Sequence, residues 1–343
     1  MGTSVLTIRD FDSTPDAVGR LGLPGLGRPR LRIPHLDLVA GECHAVIGKS
    51  GAGKTVLNSL ILGMPSSRIG HGVRVGKMAW WNGGVSLRAS DFRNSSGLLS
   101  RWRQIRRSGT LLYLPQILPD GRSYQMSTRT YLEQVLAALG RQVGDAPPDA
   151  SATFETLPKD LCGVLENPVT SLSGGERRRI ELWARLSILK ALPTDRLGLL
   201  ILDEPTTGLD VPDERRYLED LRQMMAGLPN LAVLVTTHAL YFLDDHLTSG
   251  KSASETKRQP LFDKVCLVHK EPLAETVSAR EVGPTCRVTS AVDSQRLCGA
   301  VKRRTPEKSV EDSMEAFIDW QAHLSGDDFT EQVEKAYFME MAR

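Results

Sequence analysis

Residues 48–55 form a motif that could bind phosphate. They read GKSGAGKT, which is the GxxxxGK[ST] spacing of a phosphate-binding loop. Glycines at this spacing let backbone amides turn inward around phosphate oxygens. We expect the Lys54 ammonium to contact the β- and γ-phosphates of a nucleotide and the Thr55 hydroxyl to bind Mg²⁺. The candidate nucleotide-binding residues of the motif are Gly48, Ser50, Gly51, Ala52, Gly53, Lys54 and Thr55.

Two adjacent acidic residues, Asp203 and Glu204, follow the apolar segment 199–202. This segment predicts a buried strand. Neighbouring side chains on a strand point to opposite faces, so the two carboxylates can perform different tasks. We expect Asp203 to help hold Mg²⁺ and Glu204 to orient or activate an attacking water molecule. The structural alternative is an acidic pair that only ends a strand in a turn.

The segments around the loop predict the elements that a phosphate site needs. Residues 45–47 form an apolar strand that leads into the loop, and apolar residues recur at helical spacing over residues 56–64. The order strand, glycine loop, helix is the context in which this motif binds phosphate. Further strands are predicted at residues 4–9, 31–38, 73–81, 111–114, 198–202 and 231–236, and a helix at residues 212–228.

Several additional motifs resemble the ATP-binding cassette (ABC) family over residues 4–270. LSGGE at residues 172–176 resembles the family signature, and Gln116 in YLPQ resembles the Q-loop glutamine. GLD at residues 208–210 resembles the D-loop, and His238 in VTTHAL resembles the switch histidine. The resemblance implies ATP and Mg²⁺ as cofactors and ATP hydrolysis as the activity. It implies Glu204, His238 and Gln116 as catalytic residues, and Thr55, Gln116 and Asp203 as ligands of Mg²⁺.

The signature also implies a second subunit. A helix that begins at the signature offers free amides and a hydroxyl as an anion site. In the family this site belongs to the opposing subunit and closes over the γ-phosphate. We therefore expect a homodimer or a heterodimer of two such subunits. The residues implied to bind nucleotide in this way are Ser173, Gly174, Gly175 and Asp210.

The resemblance implies an α/β fold, a P-loop NTPase core with an antiparallel β-subdomain and a helical subdomain at about residues 117–183. The predicted domains are residues 1–272 for the ABC ATPase and residues 273–343 for a helical C-terminal extension. The extension is a candidate dimer or partner contact. Phe11 is the only aromatic residue before the phosphate loop, so no residue is predicted to stack on the base.

Composition narrows the function without naming it. The chain has 343 residues, with 43 basic and 41 acidic residues and a net charge of +2, a balance that neither demands nor excludes a nucleic-acid partner. Five scattered cysteines without CxxC spacing argue against a zinc site and fit a reducing cytosol. Because the apolar segments are too short to span a bilayer, we expect a cytoplasmic protein, peripheral at the inner face of the membrane if a membrane partner holds it.

Two roles compete for this sequence. The favoured role is the motor subunit of a transporter whose membrane permease is a separate chain. The alternative is a soluble ABC ATPase that acts on nucleic acid, the ribosome or a defence effector. Two basic groups could contact nucleic acid, but solvated or packing surfaces are favoured for both. They are residues 177–179, and Arg101, Arg103, Arg106 and Arg107 with Trp102.

Overall fold

A computed structural model shows how these segments are arranged. It describes residues 2–13, 30–48, 51–63, 73–93, 95–116, 118, 126–143, 154–237, 262–271, 285–288 and 292–293. Within these ranges no helix is long and apolar enough to cross a membrane.

Eleven strands build the sheet in the described part of the chain. The predicted strands are all present. Four further strands, β5 and β9 to β11, were not predicted, because each is short or carries charged residues among its apolar ones. The bounds are β1 Ser4–Ser13, β2 Arg30–Val39, β3 Cys43–Ile47, β4 Val73–Trp80, β5 Val85–Arg88, β6 Thr110–Leu114, β7 Gly198–Asp203, β8 Leu231–Thr237, β9 Lys264–Glu271, β10 Thr285–Val288 and β11 Val292–Asp293.

The strands form one continuous sheet with an antiparallel part and a parallel part. Its order is β5-β4-β1-β2-β10-β9-β3-β8-β7-β6, and β11 pairs with β9. Strands β5, β4, β1 and β2 are antiparallel neighbours, whereas β9, β3, β8, β7 and β6 run parallel. Strand β10 joins the parts, because it pairs parallel with β2 and antiparallel with β9. The predicted α/β fold with an antiparallel layer is confirmed.

Six helices surround the sheet in the described residues. They are α1 Lys54–Ile61, α2 Ser95–Ser108, α3 Thr128–Val143, α4 Lys159–Cys162, α5 Gly174–Lys190 and α6 Val211–Met225. Helix α2 and strand β5 lie in a stretch that the sequence marks as polar and basic. The predicted helices of the C-terminal extension lie outside the described residues. Strands β10 and β11 lie within the range predicted for this extension, and the domain boundary near residue 272 stays a prediction.

The parallel strands are buried on both faces, and their alternating side chains feed two cores. Leu200 and Leu202 pack with helices α3, α5 and α6 on one face. Leu199 and Ile201 pack on the other face with α1, α2 and the inner face of the antiparallel strands. Continuous apolar strands are typical of a parallel sheet that is covered on both sides. The carboxyl ends of these strands are therefore held in fixed positions relative to one another.

Candidate functional site

The phosphate loop lies between β3 and α1, and glycine is required where the structure is tightest. A Cβ atom on Gly48 would lie 2.4 Å from the carbonyl oxygen of Val268, closer than van der Waals contact permits. Gly51 and Gly53 have positive φ angles of 74° and 112°, which glycine adopts without strain. Ser50, a predicted member of the loop, lies outside the described residues.

Lys54 is the buried cation of this loop. Its side chain is 4% exposed, and its Nζ donates to the carbonyl oxygen of Gly48 at 2.6 Å. The same Nζ lies 3.1 Å from Oε1 of Glu204. A buried ammonium needs a compensating anion, and Glu204 provides it here. Phosphate oxygens could take over this role.

Glu204 joins the phosphate loop to the predicted Q-loop glutamine. Nε2 of Gln116 donates to Oε2 of Glu204 at 3.0 Å, and Oγ1 of Thr207 donates to the same oxygen at 3.2 Å. Glu204 has a φ of 45°, which is unfavourable for a residue with a side chain. Such a conformation persists only where its surroundings enforce it, often at functional sites. It directs the carboxylate toward Lys54 and Gln116.

The sheet explains why residues so distant in sequence meet here. Strands β3, β8, β7 and β6 are parallel neighbours, so their carboxyl ends lie along one edge. Gly48 follows β3, Asp203 ends β7, and Gln116 lies shortly after β6. Ligand sites of parallel sheets lie at this edge. His238 directly follows β8 in sequence, but it lies outside the described residues.

Asp203 is held by two side chains that the sequence reasoning did not identify. Oγ1 of Thr236 donates to Oδ1 at 2.6 Å, and the hydroxyl of Tyr113 donates to Oδ2 at 3.0 Å. Burial, together with the charge on Asp203, raises the pKa of Tyr113, so the hydroxyl stays protonated as a donor. The two threonines that end the otherwise apolar strand β8 were the available signal for Thr236.

The residues at this edge fit Mg²⁺ held jointly with a nucleotide. Mg²⁺ is usually bound by one or two carboxylates together with substrate phosphates. Asp203 is a fixed carboxylate whose oxygens can each accept a further contact, and Thr55 is exposed at the start of α1. The described residues contain no group of three His, Cys, Asp or Glu side chains that could hold a metal alone.

The signature segment forms the N-terminus of α5. Ser173 caps the helix by accepting from the amide of Glu176 at 3.1 Å, and Glu176 accepts from the amide of Ser173 at 2.8 Å. Ser173 and Gly174 are exposed, whereas Gly175 is buried. A Cβ atom on Gly175 would lie 2.2 Å from Oδ2 of Asp213, so a larger residue here would displace the Asp213 side chain of α6.

Asp210 caps α6 and has no hydrogen bond with the described residues of the phosphate loop. Its Oδ1 accepts from the amide of Asp213 at 2.9 Å, which is the usual role of aspartate at a helix N-terminus. The structure therefore gives Asp210 a capping role, and the predicted nucleotide contact stays a prediction.

Arginines of α5 link the signature helix to the phosphate site. NH2 of Arg178 donates to the carbonyl oxygen of Gln116 at 2.5 Å. Arg179 pairs with Asp160 at 2.5 Å and with Asp220 at 2.6 Å. Both guanidinium groups are largely buried, which confirms packing rather than nucleic-acid contact for these two residues.

A second buried network connects α3 and α5 to β6. Arg185 Nε donates to the carbonyl oxygen of Tyr113 at 2.8 Å, and its NH1 pairs with Oε2 of Glu181 at 2.5 Å. The Tyr131 hydroxyl donates to Oε1 of Glu181. The strand residue that orients Asp203 is thus fixed by a charged pair on the signature helix.

Phe11 does not provide a platform for a nucleotide base. Its ring is 1% exposed and makes an edge-to-face contact with Phe92 at 5.9 Å. The tryptophans at positions 80, 81 and 102 are buried as well. Trp102 packs edge-to-face on Trp80 at 5.6 Å, which confirms that α2 is a packed helix with its arginines outside.

We expect Tyr113→Phe to weaken Mg²⁺-dependent nucleotide binding about tenfold, because loss of a group that orients a metal ligand typically costs 10–100-fold. Calorimetry with ATP in Mg²⁺ and in EDTA separates this effect from binding of the nucleotide itself, which should not change. Tyr217→Phe is the matched control, since the Tyr217 hydroxyl is buried on α6 and has no hydrogen-bond partner among the described residues. Equal loss in both variants, or in EDTA, would contradict the assignment.

Comparison with known proteins agrees with this arrangement. Residues 31–207, just over half of the chain, match the family model described as ABC transporter. The chain is 32% identical over 201 residues to Nod factor export ATP-binding protein I from Neorhizobium galegae, an alignment covering 59% of this chain and 48% of that protein. The protein of the same name from Bradyrhizobium diazoefficiens is 30% identical over 237 residues, covering 66% and 65%. The chain thus spans about half the length of the first relative.

Solved structures show the same fold. One is cbiO1 from Clostridium perfringens, described as part of the ABC transporter complex cbiONQ, with a TM-score of 0.52 and 17% identity, covering 91% of this chain and 99% of that chain. Another is an ATP-binding subunit of an ABC transporter, with a TM-score of 0.50 and 18% identity, covering 91% and 98%. At this identity the likeness concerns the fold.

Proposed function

Because this chain belongs to the ABC transporter family, we propose that it binds and hydrolyses ATP as one of two cassettes in a dimer. The observation that carries the proposal is the meeting of Lys54, Glu204 and Gln116 within hydrogen-bond distance. A cation that can bind phosphate thus lies beside a carboxylate that can act on water, which supports the proposal. The proposed setting is the cytoplasmic side of a membrane transporter whose permease is a separate chain.

In this proposal Lys54 changes partners when ATP binds. The Glu204 carboxylate now neutralises its ammonium, and the phosphates would replace that carboxylate. Glu204 is then released from the ion pair while Gln116 and Thr207 still hold its other oxygen. A carboxylate fixed in this way can orient or deprotonate water. His238 is proposed as the second polar group beside the reacting phosphate.

Thr55 and Asp203 are the residues that would hold Mg²⁺, with Gln116 as a further ligand. When bound, Mg²⁺ neutralises phosphate charge and fixes the phosphate oxygens. Thr236 and Tyr113 keep the Asp203 carboxylate in one orientation. The conformational entropy of this carboxylate is therefore already lost when the chain folds, and not when Mg²⁺ binds.

The proposed dimer rests on the exposed N-terminus of α5. Ser173 and Gly174 present backbone and hydroxyl groups at the surface, where the phosphates of a second subunit could dock. Gly175 and Asp210 would support this contact through α6. A second copy of this chain is the simplest partner, and the names of the curated relatives favour export as the direction of transport.

Mixing two inactive variants tests the dimer. Lys54→Ala removes one half of a composite site and Ser173→Arg the other, so each variant alone should be inactive. Random exchange of subunits should restore roughly a quarter of the wild-type ATPase rate, because half of the symmetric pairs would contain one intact site out of two.

The control mixes Lys54→Ala with a chain that carries both substitutions, a pair that contains no intact site. Phosphate release should stay at the background in this control. Wild-type turnover by a strictly monomeric preparation, or no gain from the first mixture, would refute the composite site.

A further inference from the structure

The outer face of the antiparallel strands carries four basic residues in one line, which we call the basic row. His35 on β2 lies directly opposite Arg9 on β1, and Arg9 lies opposite Lys77 on β4. Lys77 in turn lies opposite Arg88 on β5. Arg9, Lys77 and Arg88 are exposed and His35 is half-buried. Because neighbouring strands are about 4.8 Å apart, the row extends over roughly 14 Å.

Two of the acidic residues near the basic row, Asp37 and Asp12, have hydrogen-bond or ion-pair partners outside the row. Asp37 accepts from the hydroxyls of Ser4 at 2.7 Å and Thr7 at 2.8 Å. Asp12 pairs with Arg32 at 3.8 Å. Asp10 is exposed at a bulge beside Arg9, and the Asp91 carboxylate accepts from the backbone amide of Arg88 at 2.7 Å. Among the described residues, no ion pair involves a member of the row.

Such a row has a cost for the folded chain. Like charges placed directly opposite each other on neighbouring strands destabilise a sheet. The stability of the folded sheet therefore does not account for the row, whereas binding of an anionic partner would account for it. A groove of about 310 Å³ adjoins it. Arg9, Lys77, Asn82 and Gly83 are among the residues that line this groove.

We propose that the basic row binds the sugar–phosphate backbone of a single nucleic-acid strand. A linear polyanion matches a line of cations, and the adjoining groove provides the amide of Asn82 as a further polar group. On the part of this face that the structure describes, no Phe, Tyr or Trp side chain is exposed. Bases have no stacking partner there, so binding is predicted to depend on phosphate and not on sequence.

The shape of the face favours a strand over a membrane surface. A flat bilayer cannot follow a groove, and electrostatic adsorption to lipid is usually strengthened by apolar residues that insert. Among the described residues, Leu99 is the only large apolar side chain that is exposed. It lies on α2, which packs on the inner face of these strands through Trp102 and Trp80. The inference is independent of the proposed transport function.

Fluorescence anisotropy of a labelled 20-nucleotide oligo-dT with the full chain tests this site. Affinity should fall as NaCl rises, with a slope of about −2 on logarithmic axes, since each phosphate contact of a single strand contributes roughly −0.7. The triple variant Arg9→Gln, Lys77→Gln, Arg88→Gln should lose affinity on the order of 100-fold at 50 mM salt and show a slope near zero. An oligonucleotide of mixed sequence should bind as oligo-dT does.

The control variant carries Arg101→Gln, Arg103→Gln and Arg107→Gln on α2, which changes the net charge equally on the other side of the strands. It should bind the oligonucleotide as the parent chain does. Equal loss in both variants would show attraction by net charge alone and overturn the site. Binding to vesicles with anionic phospholipid, without binding to the oligonucleotide, would overturn the choice of partner.

Folding of the triple variant is checked independently. Relief of like-charge contacts should leave its Tm equal to or above that of the parent chain, and its ATP affinity should not change. If the triple variant does not fold, the single variant Lys77→Glu at the centre of the row provides the same test. Oligonucleotide binding by Lys77→Glu at the parent affinity would equally refute the proposal.

Discussion

The Lys54→Ala variant is expected to lose nucleotide binding by at least two orders of magnitude. The ammonium supplies charge-assisted hydrogen bonds to phosphate, each worth about 1.5–3 kcal/mol, and 1.4 kcal/mol is about tenfold in affinity. The substitution also leaves the Glu204 carboxylate, only 13% exposed, without its cation beside the incoming phosphates. Calorimetric titration with ATP measures the loss.

Lys264→Ala is the matched control for this experiment. Lys264 pairs with Glu42 at 2.9 Å, so the control also breaks a lysine–glutamate pair of the same sheet. Lys264 begins β9, beside His44 near the start of β3, which places it at the opposite end of the strands from the phosphate loop. ATP should bind to this control as to the parent chain. Unchanged affinity in Lys54→Ala would remove the basis for the phosphate site.

The Glu204→Gln variant is expected to separate binding from turnover. Glutamine preserves size and hydrogen bonding but cannot act as a base, so the ATPase rate should fall about 10²–10⁴-fold. ATP affinity should stay equal or rise, because the neutral amide no longer competes with phosphate for Lys54. Phosphate release and calorimetry on the same preparation measure the two quantities.

Light scattering adds a structural measurement on this variant. With ATP present and hydrolysis blocked, the Glu204→Gln chain should accumulate as a dimer. Glu133→Gln on α3 removes an equal charge at an exposed position and should behave as the parent chain in every assay. Hydrolysis by Glu204→Gln at the parent rate would assign the catalytic role to another residue.

The sequence allowed much of the fold to be predicted where local patterns decide the structure. The strand before the phosphate loop and the helix after it follow from an apolar run and from helical spacing, both independent of distant residues. The apolar run at residues 199–202 also predicts a strand, because a strand buried on both faces does not need alternating polar and apolar residues. Strand β10 has four residues, and only its pairing with β2 and β9 defines it.

The site shows the same division between local and distant information. A motif identifies Lys54, but no motif states that Glu204 is its partner in the folded chain. The contacts of Tyr113 and Thr236 with Asp203 depend on the order β8-β7-β6, which cannot be obtained from one segment. The positive φ of Glu204 is likewise enforced by the surrounding structure. Residues 177–179 look like an exposed basic run, and only tertiary contacts reveal that Arg178 and Arg179 are buried.

Strand β10 has a consequence for how the chain is made. Synthesis of β2 is finished once residue 39 has been added to the nascent chain, whereas synthesis of its partner β10 is finished only at Val288. At a synthesis rate of about 5–20 residues per second, the edge of β2 that pairs with β10 would stay unpaired for roughly 10–50 s. An unpaired edge can pair with other chains. Chaperone protection of newly made protein is therefore most needed in this interval, and a chain cut at about residue 274 would never close the gap between β2 and β9.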